Sequence, residues 1–250
     1  MEKLIKILEQ FDQERKRTKR HGSWDETALV KIIHPLAKEI LCNGCFLVNG
    51  KFIIDIGVIE LYYHEENGEI KDHVMYHTNK HFPKSFKEII KHNGGYPYFE
   101  IGSFNQHSSG IDITFENEEN KYRASFLIRS YRLLERKDLN NNDILYDPYS
   151  THIFDDMFFG GLLLSTDKRT TIEWIEYDKG GEIEQCPRKN VALYNENGDK
   201  IDTTEAYYKI AKKEAEENKS YPKCFKYGTK FFMQDMRPWQ FKLKGIKEKK

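Results

Sequence analysis

No run of this chain approaches the roughly 20 apolar residues that a spanning helix requires, and the charged opening MEKLIKILEQFDQERKR lacks the apolar centre of a signal peptide. The expectation is a cytoplasmic protein with no membrane partner. Cysteine is scarce, four residues in 250, too few for a disulfide framework. CNGC (Cys42, Cys45) has the spacing of one zinc knuckle, but Cys186 and Cys224 stand far apart with no second knuckle, so it reads as a turn between two apolar segments. Net charge is missing as well: 40 Lys+Arg balance 40 Asp+Glu, so the whole-chain field offers no bias toward nucleic acid or anionic membrane. Polyanion binding would have to come from local patches, RKRTKRH (15–21), KHFPKSFKEIIKH (80–92) or KLKGIKEKK (242–250), each of which also reads as a solvated face or frayed end. NGGYP and FFGGLLL lack both the Walker Lys-Ser/Thr and dinucleotide spacing, and there is no nucleophile elbow, internal repeat or low-complexity linker.

What remains is a mixture of helical and strand-like patterns. Leu4, Ile5, Leu8 and Phe11 have helical spacing over 2–17. In SWDETALVKIIHPLAKEILCNG, Ser23 or Asp25 can cap a second helix, Pro35 should break or restart it, and Gly44 can end it. Two segments read as antiparallel hairpins: CFLVNGKFIIDIGVIELYY, turning at Asn49-Gly50, and GIDITFENEENKYRASFLIRSYRLL, turning at 116–120. Then come a polar loop, ERKDLNNNDILYDPYS, an apolar run, MFFGGLLLS, and a strand-like TTIEWIEY. A helix is expected over 203–219, and strands in KYGTKFFMQDMRPWQFKLKG. The pattern predicts an α+β chain: a compact domain over 23–250 with a curved, mainly antiparallel sheet flanked by helices, and a helical extension over 1–22.

One position resists the pattern. In IIDIGVIELYY, strict alternation puts Ile54, Ile56, Val58, Glu60 and Tyr62 on one face, so Glu60 continues an aliphatic row. A carboxylate leaving water there must find hydrogen bonds or an opposite charge; the bland reading is a strand end or a structural Arg partner. The return strand RASFLIRS offers Arg129 on the side of Ser125 and Leu127. If the strands are neighbours, Glu60 and Arg129 can hold a water between them for general-base catalysis, with the Tyr62 ring beside them for a planar ligand.

Several blocks, in order, resemble the alkyladenine (3-methyladenine) DNA glycosylase family: PLAKEILCNGCFLV, GVIELYYHEENGEIKDHVMYH, RASFLIRSYRLL and RPWQFKLKG, spanning Trp24 to Gly245. The resemblance implies a base-excision repair enzyme that flips a damaged purine, alkylated or deaminated, out of double-stranded DNA and hydrolyses its N-glycosidic bond, as a monomer without a metal or other cofactor. A related nucleoside is the alternative substrate. The resemblance makes Glu60 the water-activating base, Arg129 the residue that helps hold the water, Tyr62 one wall of the base pocket and His73 the other, with His77 a rival for that place. The chain departs from the family at YFEIGSFNQHSSGIDITF, where Asp112 replaces the pocket Asn and no Tyr occupies the wedge position, leaving Phe104, Asn105 or His107 for it.

Two other classes fit parts of the sequence. His73, His77 and His81 recur every four residues and, with Glu60 or Asp72, suggest a metal-dependent hydrolase or nuclease, although no His-Glu-x-x-His signature is present. Fifteen Tyr and 16 Phe give stacking surface for a non-catalytic nucleic-acid or ligand-binding module, although aromatics are more often core.

Overall fold

The computed structural model describes residues 1–70, 72, 97–107, 110–136, 142–150, 171–188, 223–227, 230–234 and 237–246; for 106–107, 135–136, 142–150, 223–227 and 230–234 it describes the backbone alone. The expected helix over 203–219, the MFFGGLLLS run and His73, His77 and His81 lie outside the described residues.

Helix α1 (Glu2–His21) buries Leu4, Ile7, Leu8, Phe11 and Arg15. It runs through the basic segment, whose Lys19, Arg20 and His21 sit in the last turn, where the helix dipole favours cations. Helix α2 (Glu26–Cys42) is capped by Asp25, which accepts from the Ala28 N–H at 2.8 Å. Pro35 was expected to break or restart this helix and does neither: it stands within α2 on the exposed side, where the cost is the helical N–H partner of the Lys31 carbonyl.

The hairpin β1 (Gly44–Val48) and β2 (Phe52–Glu65) turns at Asn49 and Gly50, with φ of 53° and 67°, the paired positive values of a type I′ turn. Then follow β3 (Phe104–His107), β4 (Gly110–Thr114), β5 (Tyr122–Arg136) and β6 (Asn142–Ser150). After them come β7 (Ile172–Glu176), β8 (Ile183–Cys186), β9 (Lys223–Tyr227), β10 (Lys230–Gln234) and β11 (Gln240–Leu243). Strand β6 falls where a polar loop was expected; pairing along the second half of β5 overrides its composition.

Among the described residues, nine strands form one antiparallel sheet in the order β3-β4-β5-β2-β1-β7, with β11 on β2, β8 on β11 and β6 on β5; β9 and β10 pair separately. The long strands β2 and β5 lie at the centre, and each changes its outer partner part-way along. Strand β2 pairs with β1 over residues 52–54 and with β11 over 58–60, while β5 pairs with β4 over 125–128 and with β6 over 131–136.

The change of partner coincides with a double irregularity. Gly57 is inserted between the pairs Ile56↔Tyr131 and Val58↔Ser130, and Arg129 is inserted between Val58↔Ser130 and Ile59↔Ile128. An inserted residue shifts the side-chain alternation by one. Ile54 and Ile56 therefore share the main core beneath the helices with Ile59, Leu61 and Tyr63. This corrects the simple alternation: Glu60 does not continue the Ile54–Ile56 row but points to the opposite face.

That main core joins α1, α2 and the near face of the sheet, while Cys45, Leu47, Ile53 and Leu134 form a second cluster. Cys42 belongs to the first and Cys45 to the second, so CNGC is a helix-to-strand junction. Gly44 is required there, since a Cβ would lie 2.0 Å from Cζ2 of Trp174. The N-terminal helix is fastened to β2 by buried Glu65, whose Oε1 accepts from Arg15 Nη2 (2.5 Å), Lys19 Nζ (2.8 Å), Trp24 Nε1 (3.0 Å) and the Tyr63 hydroxyl (3.0 Å). Burial pushes the Glu65 carboxyl up, but the donors Lys19 and Arg15 outweigh it and hold it below its usual value. Arg15 of the RKRTKRH patch is thus committed inside the protein, and Lys19, itself exposed, reaches the same carboxylate from the surface.

Candidate functional site

Beyond the irregularity, the pairings align one row across five strand boundaries: Asn105, Asp112, Leu127, Glu60, Gln240 and Cys186. The flanking residues Ile111, Ile113, Phe126, Ile128, Ile59 and Phe241 belong to the helix-side core, so this row projects from the other face. Glu60 lies within it, fully buried.

Gln240, Tyr62 and Arg129 are among the side chains that meet the Glu60 carboxylate. Gln240 Nε2 donates to Oε1 at 2.8 Å, the Tyr62 hydroxyl donates to Oε2 at 3.1 Å, and Arg129 Nε stands 3.5 Å from the same Oε2. The inserted position of Arg129 in β5 brings it to Glu60 across the strand boundary. Gln240 is oriented in turn by Cys186, whose Sγ donates to Gln240 Oε1 at 3.0 Å. Burial, and then the charge of Glu60, push the Tyr62 phenol well up, so it stays a proton-bearing donor.

A second network adjoins the first on the β11 side of β2. Strand β11 follows β2 only as far as Glu60, after which Leu61 N–H reaches Trp239 O at 2.7 Å. The next backbone groups of β2 are met by side chains: Arg188 Nη1 donates to Leu61 O at 3.1 Å, and Tyr63 N–H donates to Asp72 Oδ2 at 3.4 Å. Arg188 also grips Asp72 through Nη1 to Oδ2 (2.7 Å) and Nη2 to Oδ1 (3.0 Å), both residues being fully buried. Its guanidinium lies 4.5 Å from the Tyr62 ring centroid and 5.1 Å from that of Trp239. Arg237 adds a donor to Asp72 Oδ1 at 3.3 Å and stacks on Trp239 at 3.7 Å.

Of the residues singled out in the sequence, Glu60, Arg129 and Tyr62 meet directly. Asp112 and Asn105 project on the same face, Asp112 buried two strand spacings, about 10 Å, from Glu60. Asn105 Nδ2 donates to Asp112 Oδ2 at 3.4 Å. Phe104 does not join them: it pairs with Ile113, meets the Phe46 ring edge-on at 5.2 Å and packs against the helix-side core, so it is no projecting wedge. The side chain of His107 and the whole of His73 lie outside the described residues. Asp72, suggested as a metal ligand, has both oxygens engaged by arginines, and among the described residues no group of three His, Cys, Asp or Glu is placed to hold a metal. No described helix is long and apolar enough to cross a membrane.

Sequence reading missed Gln240, Cys186 and Arg188. Gln240 reaches Glu60 across 180 positions and Arg188 reaches Leu61 across 127, and only strand pairing supplies such proximity. The one local signal was that Gln240 interrupts the aromatic run of RPWQFKL. Comparison with protein families, with curated proteins and with solved structures finds no match to this chain.

Proposed function

We propose that this chain is a metal-independent N-glycosyl hydrolase that removes a damaged purine, alkylated or deaminated, from double-stranded DNA, or from a related nucleoside. The observation that supports it most is the convergence of Arg129 and the Tyr62 hydroxyl on Oε2 of a fully buried Glu60. A carboxylate desolvated yet met by a cation and two neutral donors suits a general base. The ordered blocks that resemble alkyladenine DNA glycosylases support the choice of substrate.

In this mechanism Glu60 takes a proton from a water oriented with Arg129. The resulting hydroxide equivalent adds to the anomeric carbon as the C–N bond breaks, and the base leaves with the bonding electrons. A base that is cationic or already protonated leaves as a neutral molecule, so the reaction needs no metal to stabilise the leaving group. Asp112 lies in the same row and would face the edge of the base.

The test incubates purified protein, with and without EDTA, on duplexes carrying ethenoadenine, hypoxanthine or methylated purines and measures abasic sites. Release that survives EDTA is expected. Release abolished by EDTA would transfer the chemistry to a metal site such as the His73, His77 and His81 set. Binding of every duplex without release would indicate a binding module on the same fold.

A further inference from the structure

We infer that Arg188 is a positioning residue for the reaction proposed above, acting on Glu60 through Tyr62. Its guanidinium is held at three points beside Tyr62. Its donors are fixed in one plane by Asp72, at 2.7 and 3.0 Å, and by Leu61 O at 3.1 Å, the carbonyl between Glu60 and Tyr62 in the chain. Its guanidinium carbon lies over the Tyr62 ring, 4.5 Å from the centroid, and the Tyr62 hydroxyl donates to Glu60 Oε2. One side chain therefore sets both the backbone and the ring plane of the residue that orients the carboxylate. Lysine would keep the charge but supplies neither a forked donor nor a flat stacking face.

A residue kept only to neutralise Asp72 would tolerate Lys and would act independently of Tyr62. A positioning residue would do neither. The Tyr62 hydroxyl is the last link to Glu60, so removing it uncouples Arg188 from the chemistry.

The experiment is a double-mutant cycle in the full-length protein, read as single-turnover base release from the best duplex substrate. R188K is expected to lower the maximal rate about tenfold, with KM changed less than twofold, and to lower it less than twofold further in a Y62F background. Equal losses in both backgrounds, or full activity of R188K, overturn the inference. A second readout needs no substrate: in protein labelled at the tyrosine ring carbons, R188K should move the NMR resonances of Tyr62 and leave those of Tyr98 in place. Unmoved Tyr62 resonances overturn the positioning role whatever the activity. Moved resonances in a protein that releases no base from any substrate keep the positioning role and reject the hydrolase reading.

Discussion

Two carboxylates of one strand show how neighbours decide what a residue can do. Glu60 and Glu65 both lie in β2, both are buried and both meet an arginine. On Glu65 a single oxygen gathers four donors from α1, its following loop and β2, an arrangement that fastens a helix. On Glu60 the donors divide between the two oxygens, and the arginine stands at 3.5 Å. Tyr62→Phe is expected to leave folding intact and slow base release about tenfold, measured by single-turnover kinetics, because one charge-assisted hydrogen bond is lost. Phe104→Ala should do the opposite: thermal unfolding should show a loss of about 2 kcal/mol, less than a fully buried ring because Phe104 is only half-buried, with the rate per folded molecule unchanged.

At the scale of elements, the insertion of Gly57 in β2 and of Arg129 in β5 decides which face receives Glu60. One alanine inserted between Val58 and Ile59 would shift the alternation again and turn Glu60 onto the Ile54–Ile56 face, against the helices. The expected result is an aggregated or unfolded product by circular dichroism, since a buried carboxylate would enter the apolar core. Helix α2 offers a change of the opposite sign: Pro35→Ala restores an N–H to Lys31 O on an exposed face and should raise stability by up to about 3 kcal/mol in denaturant unfolding. These elements also show what the chain made legible. Hairpin positions were readable because Asn49-Gly50 and the polar residues 116–120 are local signals, and the Glu60–Arg129 pair was readable as two charges breaking two apolar runs. The inserted residues were not, because Gly57 looks like any strand glycine and its effect depends on the register of β5. Nor was the polar segment that becomes β6, whose strand form comes from its partner.

At the scale of the whole molecule, three buried carboxylates among the described residues each meet two cations. Arg15 and Lys19 serve Glu65, Arg188 and Arg237 serve Asp72, and Arg132 and Lys179 meet Asp55 at 2.9 and 2.7 Å. Truncating one partner of such a buried pair leaves the other uncompensated, so Arg188→Ala should be far more destabilising than R188K. The pH dependence has a definite sign. Glu65 is held below its ordinary value in the folded state, so its contribution is present above the unfolded carboxylate value and is lost as pH falls through the folded one. Thermal unfolding followed from neutral to acid pH should show this loss, and Glu65→Gln should be less stable at neutral pH with a shallower acid dependence.

The proposed chemistry belongs to Glu60 and not to buried charge in β2 generally. The most direct test compares single-turnover base release by Glu60→Gln and Glu65→Gln, each corrected for the folded fraction. A loss of about 10²- to 10⁴-fold is expected for Glu60→Gln, with a rate near that of the unaltered protein for Glu65→Gln. Equal rates for the two variants, or undiminished release by Glu60→Gln, would contradict it.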